Sequence, residues 1–396
     1  MSRFRDALIG RRRSIIAEIK RRSPSAGVLR SDVDITGLAA SFERAGAAAL
    51  SVLVDGRFDG TLKDLRAARA ATALPILAKG FFARHDDIRM VRAAGADAVL
   101  LILADLDDQT LGRLMTTAHA LGMDALVEAH TELELRRAAG LGGDPVGVNA
   151  RDLRTFDIDR RSQLDLIERA PRDRVVVAES GVHTRAQVVA AELAGADAVL
   201  IGSALMRARE PAAKLAELLS EPLIKVCGLT RHEDVLAASE AGADVAGFVL
   251  ADSPRRVEAV LPVPETMLSA AVFVGHAQAV SADLIQVYPY DNGHRGRDGV
   301  VLNARTGERV ATVLDLPWCG EDARHWERAA SAKDNVVLAG GLTAGNVPAA
   351  IHAVRPWCVD VSRGVERSPG IKDADRIRAF VEAVRSSAGL SVVATA

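Results

Sequence analysis

Short apolar, β-branched runs alternate with segments of helical periodicity through the first half of this 396-residue chain. That alternation restricts the fold more than any other feature. The apolar runs fall at residues 15–20, 49–54, 75–79, 98–103, 125–129, 146–149, 174–180 and 198–202. Helical segments follow them, for example at 35–45, 85–94, 109–121, 131–139 and 186–193. A strand that is apolar throughout is buried on both faces, as in a parallel sheet covered by helices. Eight such units in about 200 residues fit a (β/α)8 barrel, with a doubly wound open sheet as the alternative. An internal echo favours the barrel. Gly95-Ala96-Asp97-Ala98-Val99-Leu100-Leu101 recurs 100 residues on as Gly195-Ala196-Asp197-Ala198-Val199-Leu200-Ile201, at strands four and eight. The competing reading is that all helix–Gly–strand turns look alike.

The segment Leu219-Ser220-Glu221-Pro222 follows a last helix at 212–219 and holds a proline that a helix interior would not tolerate. It divides the chain into expected domains 1–219 and 222–396. The second half opens in the same style, with a strand at 223–227, a helix at 232–241 and a strand at 245–250. It closes with strands at 336–340 and 358–362 and helices from Val347 and Ala374. The middle differs. Apolar runs at 272–274, 284–288, 300–303 and 310–314 have no helix between them, and Asp291-Asn292-Gly293-His294-Arg295-Gly296-Arg297-Asp298-Gly299 consists of turn formers. Parallel neighbours need a crossover of about a dozen residues, and Ala304-Arg305-Thr306-Gly307-Glu308 is only a tight turn. Residues 300–314 therefore read as an antiparallel hairpin, or as one barrel strand beside an irregular neighbour. The expected fold class is α/β: two tandem (β/α)8 barrels, the second missing central helices.

Composition narrows the function. A net charge of −2, with both signs mixed along the chain, gives no reason to expect a nucleic acid partner. The basic run Arg11, Arg12, Arg13, then Lys20, Arg21, Arg22, reads mainly as solvated edges, with Lys20 set apart below. Three scattered cysteines make neither a disulfide framework nor a metal knuckle, and fit a reducing cytosol. No signal-peptide core is visible, and no apolar run reaches the ~20 residues that span a bilayer. The reading is a soluble cytoplasmic protein with no membrane partner and no bound metal. Monomer and homo-oligomer both stay open.

Barrel active sites lie at the C-terminal ends of the strands. Here the strand ends carry Glu18 and Lys20, Lys79, Glu128, Asn149 followed by Arg151, and Glu179. Each alone has an ordinary reading as a snorkelling lysine or a rim carboxylate. Together they direct cations and carboxylates into one mouth. Ser180-Gly181 and Gly202-Ser203 close the last two strands, where barrels frequently bind phosphate through backbone N–H groups. A phosphorylated small-molecule substrate is expected.

These residues carry a resemblance. Ile16-Ala17-Glu18-Ile19-Lys20-Arg21-Arg22-Ser23-Pro24-Ser25-Ala26-Gly27, Pro75-Ile76-Leu77-Ala78-Lys79, Leu126-Val127-Glu128, Gly147-Val148-Asn149-Ala150-Arg151-Asp152-Leu153, Ala178-Glu179-Ser180-Gly181 and Leu200-Ile201-Gly202-Ser203 resemble the indole-3-glycerol phosphate synthases, in order and spacing, from about residue 15 to 219. The resemblance implies closure of 1-(2-carboxyphenylamino)-1-deoxyribulose 5-phosphate to an indole, with loss of CO2 and water. It implies Lys79 as proton donor, Glu128 as its acid/base partner, and Lys20, oriented by Glu18, on the anthranilate carboxylate. Asn149, Arg151 and Glu179 would line the ring and chain. Ser180, Gly181, Gly202 and Ser203 would hold phosphate. A lysine pKa lowered by burial or by other cations would suit such an acid. The family usually has Lys-Asp-Phe where this chain has Lys79-Gly80-Phe81, and more residues before strand one.

In the second half, Lys225-Val226-Cys227-Gly228-Leu229-Thr230, Ser253-Pro254-Arg255-Arg256-Val257, Leu338-Ala339-Gly340-Gly341-Leu342 and Val359-Asp360-Val361-Ser362-Arg363-Gly364-Val365-Glu366 resemble phosphoribosylanthranilate isomerases. That resemblance implies an Amadori rearrangement without a cofactor. Cys227 would be the base, Asp315 the acid and Arg255 the anthranilate-carboxylate site, with phosphate near Gly341, Ser362 and Gly364. The strand-four motif departs from Gln-Leu-His-Gly as Gln286-Val287-Tyr288-Pro289. Two main readings follow: a bifunctional enzyme of consecutive steps, or a synthase whose second barrel is structural. Another phosphate-sugar barrel enzyme is a third.

Overall fold

The computed structural model describes residues 3–10, 12–23, 27–152, 154–291, 293–316 and 324–387. Parts of the segments singled out in the sequence, at 11, 24–26, 153 and 292, lie outside the described residues. The chain divides into two compact units, Met1–His183 with Val188–Leu219 and Thr184–Gln187 with Ser220–Ala396.

In the first unit eight strands close a barrel: β1 (Ser14–Ile19), β2 (Ala49–Leu53), β3 (Ile76–Lys79), β4 (Ala98–Ile102), β5 (Asp124–Ala129), β6 (Val146–Asn149), β7 (Val176–Glu179) and β8 (Ala198–Ile201). β1 pairs parallel with both β2 (Ile16↔Ala49) and β8 (Ile16↔Leu200), so the open-sheet alternative is excluded. Side chains alternate between two cores, as the period of two in a strand requires. Ile15, Leu50 and Ile76 pack outward with Phe42 and Leu65 of the helices. Ile16, Leu77, Leu100 and Leu200 fill the interior. The helices Ile35–Arg44, Leu62–Ala71, Asp108–Ala120, Glu132–Gly140 and Arg160–Glu168 begin on oxygen-bearing caps, Asp34, Thr61, Asp107, Thr131 and Asp159, each accepting a backbone N–H of the first turn.

Two features here differ from the sequence reading. A short helix, α1 (Arg3–Leu8), packs Phe4 and Leu8 into the interior core, and Asp124 at the start of β5 accepts from the amides of Phe4 and Arg5, 3.1 Å each. Six residues are too few to show helical periodicity. The basic run is also not all solvated. Arg13 is buried and its amide donates to Glu192 at 2.5 Å, while Arg21 forms a forked pair with Asp64 at 2.8 Å.

The Gly-Ala-Asp echo has a physical basis. Gly95 (φ 104°) and Gly195 (φ 112°) turn left-handed after a helix. The carboxylate of Asp97 then accepts from the amide of Ile76 at 3.0 Å, and that of Asp197 from Val176 at 2.8 Å. Each aspartate thereby satisfies the first amide of the preceding strand. Gly242-Ala243-Asp244 repeats the device in the second unit: Gly242 has φ 86° and Asp244 accepts from Ile224 at 2.8 Å.

The second unit is another closed eight-stranded barrel: β9 (Leu223–Cys227), β10 (Val245–Val249), β11 (Leu268–Val274), β12 (Leu284–Tyr288), β13 (Asp298–Asn303), β14 (Arg309–Leu314), β15 (Val336–Leu338) and β16 (Cys358–Val361). β13 runs antiparallel to both β12 and β14 (Val287↔Val300, Val300↔Thr312), and the other strand pairs are parallel. Both openings left by the sequence thus apply together: a hairpin, one arm of which is a reversed barrel strand. A tight turn suffices for antiparallel neighbours, so no helix is required. Among the described residues the helices are His232–Ala241 after β9 and His325–Ala330, Val347–Val354 and Ala374–Ser387 after β14, β15 and β16. Where helices are missing the strands alternate: Gln286, Tyr288 and Val301 are buried, whereas Ile285, Val287, Val300 and Leu302 on the outer face are half-buried.

Candidate active sites

A cavity of about 1040 Å3 opens at the C-terminal mouth of the first barrel. Glu18, Lys20, Lys79, Glu128, Asn149, Arg151, Ser180, Gly181, Gly202 and Ser203 all line it. Glu179 stands behind, fully buried. The Lys79 ammonium lies 2.7 Å from Glu179 Oε2 and 3.4 Å from Glu18 Oε2, and Lys20 lies 2.6 Å from Glu18 Oε1. Burial alone would lower the Lys79 pKa, but Glu179, Glu18 and Glu128 outweigh it and hold the ammonium well above its ordinary value. This corrects the expectation of a depressed lysine, because the carboxylates, not apolar walls, dominate its surroundings. Glu18 is pushed up by burial and down more strongly by Lys20 and Lys79, to about 2. Glu179 shares only Lys79; burial, helped by Glu128, raises it to about 7.

Glycines make room for these groups. A Cβ on Gly147 would sit 2.1 Å from Glu179 Oε1, and one on Gly202 would sit 2.3 Å from Glu18 Oε1. Gln163, buried, donates to the carbonyls of Val148 and Glu179 at 2.7 Å each and ties the ends of β6 and β7 together. Asn149 Oδ1 accepts from the Arg151 amide at 3.0 Å. Ser180 (φ 70°) and Gly181 (φ 73°) form a left-handed pair after β7, at the rim of the cavity.

Several lining residues escaped the sequence reading because they sit on loops or helical turns too short to show periodicity. Phe58 and Phe81 stack at 6.4 Å, and Arg57 lies 3.4 Å over the Phe81 ring. Phe156, His183 and Arg207 complete the rim. His130, two residues beyond Glu128, is held 3.4 Å from Glu128 and 3.7 Å from Glu134. Burial works against its charge, yet these carboxylates raise its pKa.

In the second barrel Cys227 ends β9 and Asp315 follows β14, strands of the same direction, so both reach the C-terminal mouth. A buried polar chain crosses the interior. Lys225 Nζ lies 2.7 Å from Asp360 and donates to Gln286 Oε1 at 2.6 Å. Gln286 Nε2 donates to the Tyr288 hydroxyl at 2.9 Å, and that hydroxyl donates to Asp315 Oδ2 at 3.1 Å. Burial raises the Asp315 carboxyl, with Arg295 opposing and Asp360 adding. Burial also raises the Cys227 thiol, against the ammonium groups of Lys225 and Lys372.

Arg255, which its motif offers for the anthranilate carboxylate, is paired in this structure with Glu366. Its Nε and Nη2 are bound at 2.8 Å each to the two oxygens of Glu366, in a pair buried on both sides. Glu366 also takes Lys372 Nζ at 2.8 Å and the Gly370 amide at 3.3 Å. The sequence reading missed the pairing because 111 positions separate the partners. Gly341 has φ 66° after β15, Ser362 follows β16, and a Cβ on Gly364 would meet the Leu342 carbonyl at 2.1 Å. These residues place glycine-rich turns at the ends of the last two strands.

Among the described residues, no helix is long and apolar enough to cross a membrane, and no group of three or more His, Cys, Asp or Glu could hold a metal ion. A family model for indole-3-glycerol phosphate synthase matches residues 1–218, and one for N-(5'-phosphoribosyl)anthranilate isomerase matches 312–383. The tryptophan biosynthesis protein TrpCF of Yersinia pestis is 36% identical over 96% of this chain and 87% of its own length. An indole-3-glycerol phosphate synthase of Micrococcus luteus is 48% identical over 50% of the chain and 74% of its own length. A multifunctional tryptophan biosynthesis protein of Phycomyces blakesleeanus is 32% identical over 94% of the chain, which spans 63% of that protein's length. The chain belongs to the tryptophan-biosynthesis proteins that join an indole-3-glycerol phosphate synthase barrel to a phosphoribosylanthranilate isomerase barrel.

Proposed function

We propose that the chain catalyses two consecutive steps, with residues 1–219 as the synthase domain and 222–396 as the isomerase domain. In the second barrel, Asp315 gives its proton to the furanose ring oxygen of phosphoribosylanthranilate as the C1–O bond breaks and the anthranilate nitrogen forms C=N. Cys227, as thiolate, takes the proton from the neighbouring carbon, and the resulting enol-amine becomes the ketone. The chemistry is an isomerisation that needs no external oxidant or cofactor.

In the first barrel, Lys79 protonates the ketone of that product as the aromatic carbon attacks, and Lys20 holds the anthranilate carboxylate. Loss of CO2 restores the ring, and Glu128 with Lys79 manages the protons of dehydration. Glu18 and Glu179 keep Lys79 charged and aimed. The Ser180-Gly181 turn and the Gly202-Ser203 amides would take the phosphate, with Asn149 and Arg151 along the ribulose chain. In the second barrel Gly341, Ser362 and Gly364 would serve the phosphate.

The observation that carries the reading is the Lys79 ammonium held between Glu179 and Glu18 at the wall of the large cavity. The alternative, a structural second barrel, is disfavoured by the continuous polar chain that ends on Asp315. The test supplies phosphoribosylanthranilate alone and follows its fluorescence and indoleglycerol phosphate. Indoleglycerol phosphate should form. Cys227→Ala should abolish it while sparing turnover of added carboxyphenylamino-deoxyribulose phosphate, and Lys79→Met should stop turnover of that intermediate while sparing the loss of phosphoribosylanthranilate. If only the added intermediate is consumed, the second barrel is not an isomerase.

A further inference from the structure

Lys225 is a buried charge that neither reaction uses as yet. It stands two residues before Cys227 on β9, and residues two apart on a strand face the same side. The two side chains meet over Gly247 of β10, where an added Cβ would lie 2.9 Å from Cys227 Sγ and 2.9 Å from Lys225 Cε. The Lys225 side chain is 4% exposed, and its ammonium is bound to Asp360 Oδ2 at 2.7 Å and to Gln286 Oε1 at 2.6 Å. An ammonium donates three protons. These contacts use two of them.

Stability alone explains this lysine poorly. A buried ion pair repays its desolvation only when further hydrogen bonds satisfy its remaining polar atoms, and apolar replacements of similar volume are often neutral or stabilising. Asp360 Oδ1 is buried without a hydrogen-bond partner among the described residues. The thiol has the converse need. Burial favours its neutral form and Asp360 adds to that, while Lys225 and Lys372 act for the thiolate. The charged and titratable groups around it are Lys225 on its own strand, Asp360 on β16, Tyr288 on β12 and Lys372 on the chain after β16. The neighbouring β10 carries none. Lys372 is engaged by Glu366 at 2.8 Å and by the Cys227 and Ser362 carbonyls at 2.6 and 3.2 Å. Lys225, kept charged by Asp360 against its own burial, has its third proton for the sulfur.

Resting on the isomerase reading, we propose that Lys225 is a positioning residue of that reaction, the counter-charge that lets the Cys227 sulfur stand as a thiolate inside the barrel. A neighbouring ammonium is one of the environments that make a cysteine a usable base or nucleophile. The thiolate takes the proton from the sugar carbon beside the protonated C=N group. The C–H bond breaks, S–H forms, and its electron pair makes the C=C bond of the enol-amine while the nitrogen loses its charge. Sulfur and nitrogen are neutralised together, so the ammonium matters before the transfer, while the thiolate waits for substrate. Asp360 and Gln286 hold that ammonium in place.

The test uses the full-length chain and reads the sulfur directly, as the rate at which iodoacetamide alkylates Cys227, followed against pH by mass spectrometry of its peptide. The thiolate is the species that reacts. K225M should slow alkylation in mildly alkaline buffer by about tenfold, the effect of a thiol pKa raised by about one unit. K225R should stay near wild type. D360N removes the opposing carboxylate and keeps the ammonium, so it should speed alkylation. Loosened packing alone would move K225M and D360N in the same direction, so a shared direction, or an unchanged K225M rate, overturns the proposal. If K225M does not fold, seen as Cys227 reacting as fast as in urea, D360N decides, and a D360N rate no faster than wild type overturns it. With phosphoribosylanthranilate, kcat/KM for its loss should move to higher pH in K225M; an unmoved profile overturns the role in the reaction. A wild-type chain that consumes no phosphoribosylanthranilate, while the alkylation rates move as expected, overturns the isomerase reading and leaves the pairing of Lys225 with Cys227 standing.

Discussion

In the first barrel, Glu18, Glu128 and Glu179 share the amino groups of Lys20 and Lys79. Glu18 touches both lysines and is held low, whereas Glu179 has one and is raised to about 7 from 4.5. A carboxyl with a raised folded-state pKa contributes its stability below its unfolded pKa and loses it as pH climbs through the folded value. The protein should therefore lose thermal stability between about pH 5 and about pH 8 from this group, and Glu179→Gln should remove that component. Equal pH slopes of Tm in the two proteins would count against it. The glycines beside these groups give a second expectation. Gly147→Ala would drive a Cβ into Glu179 and Gly247→Ala would set one 2.9 Å from Cys227 Sγ. Each displaces a reacting group by a fraction of an ångström to an ångström, a shift that costs about a hundredfold in rate. Gly147→Ala should cut synthase kcat alone and Gly247→Ala isomerase kcat alone, as separate assays of the two steps would report. Strand-end logic led to Glu18, Lys79, Glu128 and Glu179 because a parallel barrel brings every strand's last residue to one rim. Phe58, Phe81 and His130 were not legible, since loop conformation follows no period.

The Gly-Ala-Asp turn is the recurring device at the scale of the elements. Asp97 accepts from Ile76 and also pairs with Arg3 at 3.0 Å and Arg69 at 2.9 Å. Asp97→Ala should leave the buried Ile76 amide unpaired and cost about 1–3 kcal/mol. A denaturation midpoint unchanged from wild type would refute this. The sequence showed the repeat but not its reason, because the strand that each aspartate serves lies about 20 positions earlier. The reversed strand β13 shows the opposite balance. Its short connections excluded a helical crossover from sequence alone, yet its direction within the closed sheet depends on pairing with β12 and β14 together. That reversal brings the Arg295 ribbon, Tyr290–Asp291 with His294–Arg295, to the mouth and leaves Val300 and Leu302 half-buried on the outer face.

For the molecule as a whole, each unit has its own apolar core, with Phe42 fully buried in one and Phe248 in the other. Truncating a buried phenylalanine to alanine costs about 3–5 kcal/mol. Phe42→Ala should lower the temperature at which synthase activity is lost while leaving the isomerase midpoint near wild type, and Phe248→Ala should do the converse; a common shift of both activities would refute independent cores. By itself the sequence determined the two-part division, the eight strands of the first barrel and the set of polar groups at its rim. Those features follow from local periodicity, turn chemistry and the fixed geometry of parallel strands. Only the tertiary structure decided that Lys79 is held charged by buried carboxylates, that β13 runs backwards, and that Glu366 claims Arg255. Each of these depends on which partner, among many of like chemistry far along the chain, packing brings within bonding distance, and no local pattern encodes that choice.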